Sequence, residues 1–306
     1  MVNQRIKIPT ISELLSQATA LNYDVTLPDD SHIHVYLCLD SNHPTVPILA
    51  QFALLIKAGL MEWEDQISRG TEQQPDFSII TYRALHRSII HLAQKPCEHY
   101  RGWIGEIINH FLLHHFVAQH RELLDYNWEA IQPAKMEVTN DELDIVAAYE
   151  LHNQKLGHIS GEVKTYEDLS GAKSNAYSDL QKAQNWSHNR DAQIRSVLNT
   201  LLRPRFNVGA LQAATLAMDN DRSFLPSLIH CASTQFKRKT TFNDLPQRFD
   251  TCTRPAQLIG IQIAITDFGG SCASESLQTG FFENFLRQMR LQAVAWKNPA
   301  RIPNHV

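Results

Sequence analysis

The chain is short of cysteine, of positive charge and of long apolar runs, and each shortage excludes something. Its five cysteines, Cys38, Cys97, Cys231, Cys252 and Cys272, are odd in number, scattered and never paired as C-x-x-C. Their spacing specifies neither a disulfide framework nor a thiolate zinc site, and the expectation is reduced thiols. The formal net charge of -4 is not the basic field of a nucleic-acid coat protein, so any nucleic-acid contact has to be local. The longest apolar stretch, residues 47–60, is broken by Gln51 and Lys57 and falls short of a bilayer. Residues 1–7 lack the apolar core of a signal peptide. A cytoplasmic protein with no membrane partner is expected.

Several catalytic signatures are missing as well. There is no GxSxG elbow for a nucleophilic serine. His110 and His114 stand one helical turn apart, with His115 and His120 nearby, but no glutamate completes H-E-x-x-H, and a chain with 15 histidines places such pairs by chance. Gly171-Ala172-Lys173-Ser174 lacks the leading glycine and the spacing of a phosphate loop, so an ATP-driven step would need another subunit. Asp267-Phe268-Gly269 shares only letters with a kinase element and reads as a strand-to-turn exit.

What remains is an ordinary folded composition, 43% hydrophobic and 20% charged over 306 residues, enough for one large domain or two modest ones. Helical spacing covers residues 11–20, and residues 32–39 alternate as a strand with one buried face. Helices are expected at about 46–67, 77–94 and, after the break at 96–102, 103–123. Strand-like runs follow at 142–149 and 157–165, joined by a turn at Asn153-Gln154-Lys155. Helices at about 169–186 and 191–202, a strand at 257–266 and a helix at 280–296 complete the pattern. The division expected is an N-terminal α/β region, 1–95, and a second domain, 96–306.

One constellation carries chemistry. Glu162 and Lys164 lie two residues apart on a strand, hence on one face and roughly 7 Å apart along it. Asp144 precedes them in the neighbouring strand-like run, and Glu106 lies on the helix before both, next to Gly105, whose lack of a side chain lets that helix approach the sheet. Carboxylate oxygens suit hard divalent cations, which polarise a phosphate and acidify an attacking water. A lysine beside them can orient that water or neutralise developing phosphate charge. The metal ligands expected are Asp144 and Glu162, with the main-chain carbonyl of Val163, supported by Glu106.

The order of helix acid, strand acid, E-x-K and following helix resembles the PD-(D/E)xK nuclease superfamily. More narrowly, Arg101-Gly102-Trp103-Ile104-Gly105-Glu106 and Ser160-Gly161-Glu162-Val163-Lys164-Thr165-Tyr166, with Asp144 between, resemble HamA, the nuclease subunit family of the Hachiman anti-phage system. Leu143 stands where the superfamily pattern has proline. The resemblance implies an α/β fold with a mixed central sheet flanked by helices, a restriction-endonuclease-like core carrying an N-terminal α/β extension. It further implies Mg²⁺ or Mn²⁺ as cofactor, DNA as substrate with RNA left open, catalysis by Glu106, Asp144, Glu162 and Lys164, and restraint by a partner helicase. Phosphate contacts would come from Arg190, Arg195, Arg203, Arg205 and Lys237-Arg238-Lys239, and stacking from Tyr166 and Trp186. The rival expectation is a non-catalytic module of the same fold that binds nucleic acid or regulates a partner enzyme.

Overall fold

β1 (Arg5–Ile6) and β4 (Ile80–Thr81) form a two-stranded antiparallel ribbon. Seven further strands share one sheet: β2 (Asp24–Thr26), β3 (Ile33–Leu39), β5 (Tyr126–Ile131), β6 (Ile145–Leu151), β7 (Leu156–Thr165), β8 (Arg222–Cys231) and β9 (Ile259–Ile265). The order is β2-β3-β9-β8-β7-β6-β5; the four central strands are parallel, and the edges are antiparallel. The helices are α1 (Ile11–Gln17), α2 (Val46–Ile67), α3 (Tyr82–Gln94), α4 (Arg101–Gln119), α5 (Leu169–Gln184), α6 (Leu245–Arg248) and α7 (Phe281–Lys297). This computed structural model describes residues 5–6, 8–67, 80–94, 100–124, 126–131, 143–151, 156–184, 222–232, 240–252, 255–269 and 280–297. The expected α/β class, a mixed sheet flanked by helices, is what it has.

Alternation along the strands sorts side chains between two apolar layers. Val35, Ile145, Ile159, Val163, Ile229 and Ile263 enter the layer built with α1 to α4 and α7. Their neighbours Val146, Phe224 and Leu228 enter a second layer with Ala172, Ala176 and Leu180 of α5 and Leu245 of α6. Glu162 and Lys164, offset by one from Val163, therefore project to the α5 side.

Several elements differ from expectation for identifiable reasons. β3 does not have a single buried face: apart from Cys38 it is buried throughout, because β9 pairs along its whole length and His34 meets Phe242 edge-on, ring centroids 5.0 Å apart. The third helix starts at Tyr82, after the short β4, and α4 runs Arg101–Gln119, followed by a 3₁₀ turn at Arg121–Leu123. Neither β5 nor β8 is among the strands expected from the sequence. β8 is buried on both faces and contains Pro226, a residue that argues against a central strand. Its pairing with β9 accommodates the missing N–H: an isolated bridge at Phe224 and Leu258 is followed by a regular ladder only from Ser227.

The expected boundary at 95/96 lies outside the described residues, as do the helix at 191–202 and the turn at 153–155. β3 of the first expected region pairs with β9 of the second from Ile33↔Ile259 to Leu39↔Ile265, and one apolar cluster draws on both. Among the described residues, Cys38 and Cys252 are free thiols. Among the described residues no helix is long and apolar enough to cross a membrane. The Asp267 carboxylate accepts the amide of Ser41 at 3.1 Å and the Ser41 hydroxyl, tying the exit of β9 to that of β3, while its main-chain carbonyl accepts the first amide of α7, Phe281, at 2.7 Å.

Candidate active site

α4 lies close on the sheet because Gly105 has no side chain. A Cβ there would collide with Thr165 Oγ1 and stand 2.8 Å from Ile229 Cδ1, the close approach expected of a glycine beside Glu106. One turn further on, buried Asn109 donates to the Gly105 carbonyl at 2.9 Å and accepts from the Ser227 hydroxyl, a polar tie between α4 and β8. The helix is thus fixed in height and rotation at the residue next to Glu106.

β6 and β7 supply the other groups. Their register sets Ile145 opposite Gly161, so Asp144, one residue earlier, stands level with Glu162 where the hairpin ladder begins. Asp144 Oδ2 accepts the Val163 amide at 2.8 Å. From α4, the buried His110 places Nε2 at 3.4 Å from the Asp144 carbonyl oxygen; burial, with His114 adding, holds its pKa down to about 3, so the ring is neutral. Among the described histidines, His110 thus backs Asp144, while His114 packs edge-on against Phe52 and His115 meets the Tyr23 hydroxyl at 3.1 Å.

Glu162 is 3% exposed. Its Oε1 receives Lys164 Nζ at 2.6 Å, while its Oε2 is buried without a hydrogen-bond partner. Burial first, then the charge of Asp144, pushes the Glu162 pKa up to about 8 against the pull of Lys164. Glu106 is likewise raised well above the carboxylate range, by burial and then by Asp144 and Glu162. Burial works against the Lys164 ammonium, yet Glu162 and Asp179 together hold its pKa above the ordinary lysine value. All four expected residues, Glu106, Asp144, Glu162 and Lys164, therefore meet in one electrostatically coupled cluster.

Asp179 of α5 belongs to the same cluster and was not anticipated. Its Oδ2 lies 2.8 Å from Lys164 Nζ and its Oδ1 2.7 Å from Lys182 Nζ. The signal available in sequence was helical: Asp179 follows Ala172 by seven residues and Ala176 by three, on the flank of the apolar stripe that docks α5. Lys173, from the discounted phosphate-loop letters, lies in α5 and pairs with Asp244 at 2.6 Å. Tyr166, just past β7, is 43% exposed and free to meet a ligand. Trp186 and the clusters at 190, 195, 203–205 and 237–239 lie outside the described residues.

Among the described residues no three His, Cys, Asp or Glu side chains are gathered into a ready-made metal cage. The set that fits a hard cation here is smaller: the Asp144 and Glu162 carboxylates and the Val163 carbonyl, an all-oxygen group to which water is usually added for Mg²⁺. The partnerless Glu162 Oε2, buried beside Asp144, whose charge adds to burial in raising the Glu162 pKa, is the atom a cation would satisfy. No protein-family model matches the chain, and no curated protein matches it significantly.

Proposed function

We propose that the chain is a Mg²⁺- or Mn²⁺-dependent nuclease that hydrolyses phosphodiester bonds in DNA. The observation that carries the reading is the buried, partnerless Glu162 Oε2 beside Asp144, in a cluster completed by a helix-borne acid and a lysine. Burying several carboxylates together is costly even with the Lys164 ammonium among them. A bound divalent ion offsets that cost and, when present, supplies Lewis acidity toward phosphate and water.

The protein's own groups divide the remaining work. The Val163 amide and the neutral His110 fix Asp144. Lys164 carries its ammonium to the edge of the cluster, where it can neutralise charge gathering on a phosphate oxygen. Glu106, buried on α4 with its pKa raised by burial and by Asp144 and Glu162, can position a water at the cluster. Tyr166 offers a stacking face beside the site. The mixed sheet with α4 before it and α5 after it is compatible with a PD-(D/E)xK core, and the resemblance to HamA extends the reading to a cytoplasmic anti-phage effector restrained by a partner helicase.

The test is cleavage of supercoiled and linear DNA, with RNA in parallel, in Mg²⁺, Mn²⁺ or EDTA, by the wild type and Glu162→Ala. The expected result is metal-dependent cutting that falls by at least about 100-fold in the variant. No cutting under any condition, a neighbouring-gene helicase included, overturns the proposal in favour of a nucleic-acid-binding scaffold.

A further inference from the structure

Lys164 and a metal ion that takes the partnerless Glu162 Oε2 would share one carboxylate. The Lys164 ammonium donates to Glu162 Oε1 at 2.6 Å, so a cation binding that carboxylate has to displace the lysine or sit against another positive charge. The lysine has a second anchor of nearly equal length, Asp179 Oδ2 at 2.8 Å. Lys182 Nζ holds the other oxygen of Asp179 at 2.7 Å, which leaves Oδ2 turned toward Lys164. The backbone at 179 is fixed because α5 packs Ala172, Ala176 and Leu180, all fully buried, beneath β7 and β8.

Resting on the nuclease reading above, we infer that Asp179 is a positioning residue that retains the Lys164 ammonium at the site when a divalent cation takes Glu162. With Asp179 present, Lys164 gives up one of two ion pairs and stays beside the reacting phosphate. With a neutral amide at 179, the ammonium falls wholly to Glu162 and competes harder with the metal. Once displaced, it has no charged anchor at 179.

Three consequences can be measured on the full-length chain. Asp179→Asn weakens Mn²⁺ binding in calorimetry by roughly tenfold, the size of one charge-assisted hydrogen bond. At saturating Mn²⁺ it lowers kcat with little change in KM for DNA, since the retained ammonium acts on the transition state; Asp179→Glu restores part of both. Lys164→Met tightens Mn²⁺ binding, and in that background Asp179→Asn has no further effect, so the double-mutant cycle shows coupling close to the whole single-variant loss. Urea unfolding checks that each variant folds. Mn²⁺ binding unchanged in Asp179→Asn, or an equal loss with Lys164 already removed, overturns the inference while leaving the nuclease reading intact. A wild type that neither binds Mn²⁺ nor cuts DNA overturns both.

Discussion

Glu162→Gln replaces a buried acid by a neutral side chain of the same shape, and its effect on stability can be worked from the site. Burial and Asp144 raise the Glu162 pKa from 4.5 to about 8. A folded pKa above the unfolded one means that the stability this group contributes is fully present below about pH 4.5 and is lost as pH rises through about 8. The difference, 8 minus 4.5, corresponds to a ceiling of about 5 kcal/mol at 1.36 kcal/mol per unit. The pull of Lys164 on the ionised form is already contained in that value; relaxation and water penetration around a buried charge reduce the realised loss to about 2–4 kcal/mol. The assay is urea unfolding in EDTA from pH 5 to 9, wild type against Glu162→Gln. The wild type should lose stability relative to the variant across that window, and Mn²⁺ should restore it at pH 8–9 by binding only the folded state. Parallel profiles for the two proteins would refute the assignment of a strained buried carboxylate.

Two further outcomes test the surrounding architecture. Burial, with His32 adding, holds the His34 pKa down to about 4 from 6.5, and a folded pKa below the unfolded one gives stability that is full above pH 6.5 and lost as pH falls toward 4. The loss is about 3 kcal/mol, so His34→Leu should move the acid-unfolding midpoint to lower pH, and an unmoved midpoint would contradict the burial. Gly105→Val should cost about 1–3 kcal/mol through overpacking against Thr165 and Ile229, read as a lowered Tm. It should also reduce activity beyond what lost folding explains, because Glu106 moves with α4; full activity at permissive temperature would show that the close approach is not needed.

Legibility in the sequence followed how local each signal was. Glu162, Lys164 and the strand that holds them could be read because two-residue periodicity fixes their shared face, and Gly105 next to Glu106 pointed to a helix pressed on a sheet. β9 was legible because isoleucine recurs at every second position from Ile259 to Ile265. β8 was not: a strand buried on both faces shows no alternation, and Pro226 counts against a central position until its partners are known. β3 was read as half-buried because His32, His34 and Tyr36 look like a solvent face, whereas pairing with β9 and the ring of Phe242 cover it. Asp179 escaped because its role depends on where α5 docks, and an acid on a helix flank normally faces water.

The strand order has a consequence for synthesis. β3 and β7 are made early, yet β8 and β9, which separate them in the sheet, come last. Until residues near 265 have been translated, the chain carries two incomplete sheets with open edges, for roughly 5–20 s after Thr165 at ordinary elongation rates. The Lys164 and Asp179 pairing needs only β7 and α5, but α4 packs against Ile229 of β8 and is tied to Ser227. Glu106 is therefore secured in the cluster only after most of the chain exists, so a nascent chain holds the lysine and its counter-ions before it holds the complete acid set.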